Sequence, residues 1–377
     1  MLKITTQAEF DTLRDNTPTN QAVYIYPRTD GEAYQLSDIW RLRSNTYIKG
    51  IGYPKIFVSG DFANFTRYWI GIIMAGEEAV LHTNITIKGI HLIGDTNIKN
   101  TYMNGIFGYN IGRSFNTSLE GEDYYNNSTV GGSNINLYGL FVDDCIIEGF
   151  YAGMVTEKAD NTLLTNNIIR NCSENGIFSK FTKTTSFTNN KIYNVKYGIT
   201  FEDSKGIIIQ NNNLSHISND VITLLRSHSS NIMNNYIANS PEIAILLAAN
   251  CHKNNIIGNT ITNGVNNYSI ALYSDTFSNV INGNKIVNGA QAIYLHNTGK
   301  SYTAVTTNII GNSVYGIYSL NASNNAYVAN SVVRNGDGIY FAETNHSISY
   351  GNICLNDDFD YYIESGTNNE MSNTYNK

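Results

Sequence analysis

Residues 198–214 read GITFEDSKGIIIQNNNL. A Gly opens an alternation of apolar residues, a Ser-Lys-Gly turn follows, then an apolar run, then three Asn. No part of this segment is long enough to bury a face of its own, so it reads as one unit of a repeat. The same grammar recurs along the chain. Asn stands before an apolar run at Asn167, Asn190, Asn213, Asn235, Asn259, Asn284, Asn312, Asn330 and Asn352, with successive spacings of 23, 23, 22, 24, 25, 28, 18 and 22. Asp144, in DDCII, precedes the first of these by 23 residues. A second motif runs in phase: AGMV, NGIF, YGIT, NDVIT, PEIAI, YSIAL, QAIYL, YGIY and DGIY. A third short run, such as KGIII or SNIMN, follows each of them.

Three short β runs per period predict a coil in which equivalent strands stack in parallel, ~4.8 Å apart, and bury alternate side chains in one continuous core. Asn and Gly supply the left-handed turn conformations between strands. A propeller needs a period near ~40, and a leucine-rich repeat needs a regular Leu pattern that is absent. The pattern resembles the right-handed parallel β-helix of the pectate-lyase-like superfamily over roughly residues 45–365. The resemblance implies an all-β, single-stranded solenoid. That fold hosts lyases, hydrolases, epimerases, esterases and phage tailspikes, so it leaves the reaction open.

Composition agrees with this reading. The 377 residues include 56 Asn, a poor helix former and a good turn former, and only 15% are charged. A formal charge of −7 argues against nucleic acid as a main partner. Cys145, Cys172, Cys251 and Cys354 show neither CxxC nor metal-ligand spacing, and read as free buried thiols. No apolar run reaches the ~18–20 residues of a membrane span. The opening MLKITTQAEFDTLRD lacks the apolar run of a secretory signal. A secreted, virion or cell-surface location is expected from function instead.

The expected organisation is an N-terminal cap at 1–44, a β-helix at 45–365 and a polar tail at 366–377. In the cap, Thr6-Gln7-Ala8-Glu9 forms a T-x-x-E capping box that opens a short helix with Phe10 and Leu13 on one face. Such a helix would plug the apolar end of the coil. The one long departure from the repeat is an insertion at 100–134, rich in Tyr, Gly and Asn and carrying Arg113. A loop of that length on a rigid scaffold fits a binding-site wall, a flexible insertion or a subunit contact.

Period-2 alternation from the inward Ile of each GI motif gives two outward columns. The first is Val155, Phe178, Thr200, Thr223, Leu246, Ala271, Tyr294, Tyr318 and Tyr340; the second is Glu157, Lys180, Glu202, Leu225, Ala248, Tyr273, His296, Leu320 and Ala342. Lys158, Asp203 and Arg226 follow at the strand-to-turn corner. Charge gathers at Glu157, Lys180, Glu202, Asp203 and Arg226, with His228 close behind. Aromatic residues gather at Tyr273, Tyr294, Tyr318 and Tyr340, with His296. A solvated sheet face would use similar surface ion pairs, and stacked Tyr satisfies β-propensity without a ligand.

Three functions fit these columns. Cleavage of an acidic polysaccharide by β-elimination needs a cation at the substrate carboxylate, a base for the α-proton and an acid near the leaving oxygen. The stretch SKFTKTTSFTNN at 179–190 is similar to the lysine rung of chondroitinase-B-like and alginate lyases, which implies Lys180 as base. In that family an Arg stands on the next rung; here Glu202 does, and Arg226 comes one rung later. Glu157, Glu202 and Asp203 are the carboxylates that would hold Ca²⁺. Glycoside hydrolysis or fructan and glycosyl transfer would instead pair Glu157 with Glu202, two rungs or about 9–10 Å apart, within reach of the ~6.5–9.5 Å span of an inverting pair. The third reading is a non-catalytic glycan-binding or tailspike-like shaft, which would be a homo-trimer. In each reading Phe178, His228, Arg113 and the Tyr column would bind oligo- or polysaccharide.

Overall fold

The computed structural model describes residues 1–58, 70–75, 82–95, 103–108, 137–239, 241–262 and 268–375. The chain forms two compact units, Met1–Ile199 and Thr200–Lys377. Each is a parallel β-solenoid whose successive turns contribute short strands.

In the first unit, the strands Trp40–Leu42, Ile70–Ala75, Met103–Gly108, Met154–Glu157 and Asn175–Lys180 form one parallel face. Register aligns Trp40, Ile73, Ile106, Met154 and Ile177, and all five are buried. The helix Gln7–Asp15 precedes this face and carries the expected capping box: Thr6 Oγ1 accepts from Glu9 N–H, and the Glu9 carboxylate accepts from Thr6 N–H at 3.0 Å. Phe10 and Leu13 are buried, and the Phe10 ring meets Trp40 edge-on at 5.4 Å.

In the second unit the corresponding strands are Ile222–Leu225, Ile245–Ala248, Tyr268–Tyr273, Gln291–Lys300, Tyr315–Ser323, Asp337–Ala342 and Phe359–Ile363. Ile222, Ile245, Ile270, Ile293, Ile317 and Ile339 stack in register along the core. The inward alternation read from the GI motifs therefore holds in both units.

The Asn doublets have a two-part physical role. The first residue turns the chain through the left-handed region and the second builds a buried ladder. Asn211, Asn234, Gly258, Gly283, Thr307, Ala329 and Gly351 have φ between 54° and 64°. The next residues, Asn212, Asn235, Asn259, Asn284, Asn308, Asn330 and Asn352, hand hydrogen bonds up the axis. Asn259 Nδ2 donates to Asn284 Oδ1 at 3.0 Å and to Ile232 O at 2.9 Å, while Asn259 Oδ1 accepts from Asn235 N and Nδ2, both at 2.9 Å. Asn167 and Asn190 do the same in the first unit. These bonds offset the roughly 1–2 kcal/mol that an L-residue costs in the left-handed region.

Three expectations change. The ladder runs through Asn212 and Asn308, not Asn213 and Asn312; the uneven spacings of 28 and 18 disappear, and ladder steps in this unit are 22–25 residues. Residues 103–108, placed in the insertion, are a regular rung strand: NGIF at 104–107 repeats NGIF at 175–178. Residues 370–375, read as polar tail, form a strand paired with Ile348–Leu355. The rest of the insertion, including Arg113, lies outside the described residues.

Candidate functional site

On the outward face of the first unit, the register runs Arg41, Met74, Phe107, Val155, Phe178. Met74, Phe107 and Val155 are buried although they point away from the coil interior, and Ile39, Tyr151 and Phe178 pack against them. This outward face is therefore an apolar, covered surface. Two residues further along, Glu157 and Lys180 occupy adjacent strands in register.

Glu157 is 7% exposed, and its Oε1 has no hydrogen-bond partner among the described residues. Burial pushes its carboxyl up to about 7, against the downward pull of Lys158 and Lys180. An ordinary surface Glu would be fully ionised at neutral pH; this one is poised between its two forms. Lys180 lies with its ammonium 4.9 Å from the centre of the Phe181 ring. On the inward side of the same strands, a hydroxyl chain runs from Thr156 to Ser179 at 2.7 Å and on to Thr182 at 3.0 Å.

The second unit holds Glu202, Asp203 and Arg226. Arg226 grips Asp203 through two parallel bonds, Nε to Oδ1 at 2.7 Å and Nη2 to Oδ2 at 3.1 Å, and lies 3.7 Å from Glu202 Oε2. Both Asp203 and Arg226 take the left-handed corner conformation, with φ of 48° and 47°. Equal backbone corners one turn apart bring the fork and the carboxylate face to face. This bidentate pair satisfies a nearly buried Asp203. His228 lies apart from the Tyr column: it is buried and stacked at 4.7 Å on His252, which stacks at 4.7 Å on Phe277. That is a turn-column ladder. Among the described residues, no group of three or more His, Cys, Asp and Glu side chains is arranged to hold a metal ion.

The aromatic column is real and wider than its sequence signal. Tyr294, Tyr318, Tyr340 and Tyr362 align in register, beside Tyr273 and His296. A third outward column, two residues before each inward Ile, adds Tyr268, Tyr315, Asp337 and Phe359. Rings touch along the strip, from Tyr268–Tyr294 stacked at 4.6 Å to Phe359–Tyr362 at 5.3 Å. Burial raises the Tyr294 phenol to about 12, and raises Tyr273 through burial and its hydrogen bond with Tyr268. Asp220, next to this strip in the same third column, is also raised by burial. Strict alternation would turn residues two before each Ile inward, so this column could not be read from the alternation.

A family model described as a right handed beta helix region matches residues 175–333. The chain is a right-handed parallel β-helix. Solved structures with the same fold include the A-module of a mannuronan C-5 epimerase from Azotobacter vinelandii, at 14% identity and a TM-score of 0.59, covering 98% of this chain and 94% of that one. A DFA-IIIase from Arthrobacter chlorophenolicus A6 matches at 10% identity and a TM-score of 0.59, covering 86% and 90%. The N-terminal fragment of gene product 12 of bacteriophage Phi29 matches at 11% identity and a TM-score of 0.51, covering 95% and 90%. At these identities the likeness concerns the β-helix alone. No curated protein matches the sequence.

Proposed function

We propose that this β-helix acts on an acidic polysaccharide, and that Glu157 moves a proton at the carbon next to the sugar carboxylate. The observation that carries the proposal is Glu157 itself, a buried carboxyl with an unpartnered oxygen on an outward sheet face, beside Lys180. A scaffold has no use for such a group, since an unsatisfied buried oxygen costs about 1–3 kcal/mol. A proton-transfer group does, because the best acid–base catalyst titrates near the working pH. Two of the β-helix neighbours, a mannuronan C-5 epimerase and a DFA-IIIase, are enzymes, and the first is named for a polysaccharide.

In this reading ionised Glu157 takes the proton α to the substrate carboxylate. The C–H electron pair spreads into that carboxylate, and the Lys180 ammonium stabilises the added charge. Expulsion of the glycosidic oxygen from the neighbouring carbon, with that oxygen taking its proton from water or back from the protonated Glu157, then forms a C=C bond and completes β-elimination. Relative to the lysine-rung resemblance, Glu157 takes the role of base and Lys180 that of cation. A hydrolytic partnership of Glu157 with Glu202 is less favoured, because Glu202 lies near the guanidinium of Arg226.

The test is a panel of uronate polymers in D₂O. Absorbance reports the new C=C bond, whose carboxylate-bearing carbon keeps no hydrogen, and NMR reports deuterium at that carbon in any chain that regains a proton instead. Loss of both signals in Glu157→Gln supports the proposal. Undiminished elimination or exchange in that variant, or neither signal on any polymer, overturns it. The aromatic strip favours a second reading, glycan binding without chemistry, which predicts retained binding with neither elimination nor exchange. A trimer packed through the strip would show in the solution mass.

A further inference from the structure

The first unit carries a cationic cleft that nothing in the repeat requires. Arg14, Asp15, Asn16, Thr17, Ile39, Arg41 and Arg43 line an open cavity of about 440 Å³. Three arginines and one aspartate are among the lining residues, with Asp11 and Asp38 also acting on Arg14, in a chain whose net charge is −7.

The placement follows from packing. Trp40 and Leu42 point into the core, so strand alternation turns Arg41 outward. Trp40 Nε1 donates to Thr17 Oγ1 at 2.7 Å, and Thr17 Oγ1 donates to Leu13 O at 2.8 Å, which pins the end of the helix Gln7–Asp15 against this strand. The last helical turn thereby brings Arg14 to the same cavity. Arg14 is partly neutralised by Asp15 at 2.8 Å and Asp11 at 3.6 Å. Arg41 is exposed and has no partner among the described residues. The helix C-terminus carries negative partial charge and opposes an anion, so attraction must come from the guanidinium groups.

We infer that this cleft is an anionic subsite that holds a carboxylate of an acidic glycan, with Arg41 as its principal ligand. Planar guanidinium groups bind carboxylates through paired hydrogen bonds, and Ile39 offers an apolar wall for a sugar face. Ile39 also packs on the Met74–Phe107–Val155 surface, so the cleft borders the outward face that bears Glu157. Arg41 and Val155 are three rungs apart in register, or about 14 Å at ~4.8 Å per rung. The cleft therefore holds a sugar several units away from the one that reacts. The inference rests on the acidic-polysaccharide reading above for its ligand, but not on the chemistry at Glu157.

Calorimetric titration of a uronate hexamer and of the same hexamer with its carboxyl groups reduced tests this. We expect Arg41→Glu to weaken the uronate hexamer at least tenfold and leave the reduced one unchanged. Arg41→Lys, which keeps charge but not the paired geometry, should fall between. Arg41 is exposed, so both variants should keep the wild-type circular dichroism and melting temperature. Uronate binding that is indifferent to Arg41→Glu overturns the subsite and leaves the proposed function standing. Arg41-dependent binding with neither elimination nor exchange dependent on Glu157 supports the subsite and overturns the proposed chemistry. No uronate binding by the wild type overturns both.

Discussion

Glu157→Gln separates a catalytic carboxyl from a scaffold one. The substitution keeps the side chain's shape and removes its titration. In the folded chain the carboxyl titrates at about 7, against an ordinary 4.5. That difference, at about 1.4 kcal/mol per unit, is worth about 3 kcal/mol. Its sign is destabilising at high pH. Below about pH 4 both folded and unfolded chains hold the proton, and the group has no effect on stability. Between about 4.5 and 7 the unfolded chain alone ionises, and stability falls with rising pH; above about 7 the full penalty applies. The amide has its own burial cost, but that offset is independent of pH. The expected result is therefore a difference of about 3 kcal/mol between the variant's advantage at about pH 8 and its advantage at about pH 4, from urea unfolding with unchanged slope. Carboxyl ¹³C NMR gives the titration directly. Parallel stability profiles for wild type and variant, or a Glu157 resonance that titrates near 4.5, would refute the reasoning.

Other substitutions probe the scaffold and the faces. Asn259→Ala orphans the buried Asn235 N–H and the Ile232 carbonyl, and at about 1–3 kcal/mol each should cost about 2–6 kcal/mol in chemical denaturation; a loss under about 0.5 kcal/mol would remove the ladder from the stability account. Arg226→Ala leaves nearly buried Asp203 without its fork and should cost about 3 kcal/mol, largely recovered by adding Asp203→Asn; full glycan binding in the double variant agrees with a scaffold role, and its loss contradicts one. Tyr362→Ala, at 38% exposure, should change stability by less than about 0.5 kcal/mol; weaker glycan binding in this variant would identify the strip as a platform, and unchanged binding as scaffold. Phe178→Ala opens the apolar surface beside Glu157 to water, and the Glu157 carboxyl should fall toward its ordinary value, moving the activity profile to lower pH.

The inward half of the fold was legible because it is periodic. The GI motifs place Met154, Ile177, Ile222 and Ile339 correctly, since a slip of one residue would expose a whole core column. The turn chemistry was half legible. The Asn doublets mark each turn, yet only the partner of the left-handed residue stacks, and that role passes to Asn308 where Thr307 bends the chain. The outward half was harder to read. Glu202 and Asp203 are adjacent in the sequence, and what could not be read there is the bidentate pairing of Asp203 with Arg226. Glu157 was already among the candidate carboxylates. Its position could be read from alternation, but its burial could not, because burial depends on what packs over Met74, Phe107 and Val155.

That dependence explains where function can sit on such a coil. Inward positions are held by their neighbours on both sides along the axis, so a chemical group placed there would break the core or the ladder. Outward positions are unconstrained, but an open sheet face leaves a carboxylate in water with an ordinary acidity. Chemistry therefore needs an outward position that is also covered. In the first unit the apolar residues Met74, Phe107 and Val155 make the face one that packs rather than one that is solvated, and the neighbouring Glu157 is desolvated as a result. Arg41, at the exposed end of the same column, keeps its charge in water and suits recognition instead. One face thus supplies two environments, a dry one at Glu157 and a wet one at Arg41.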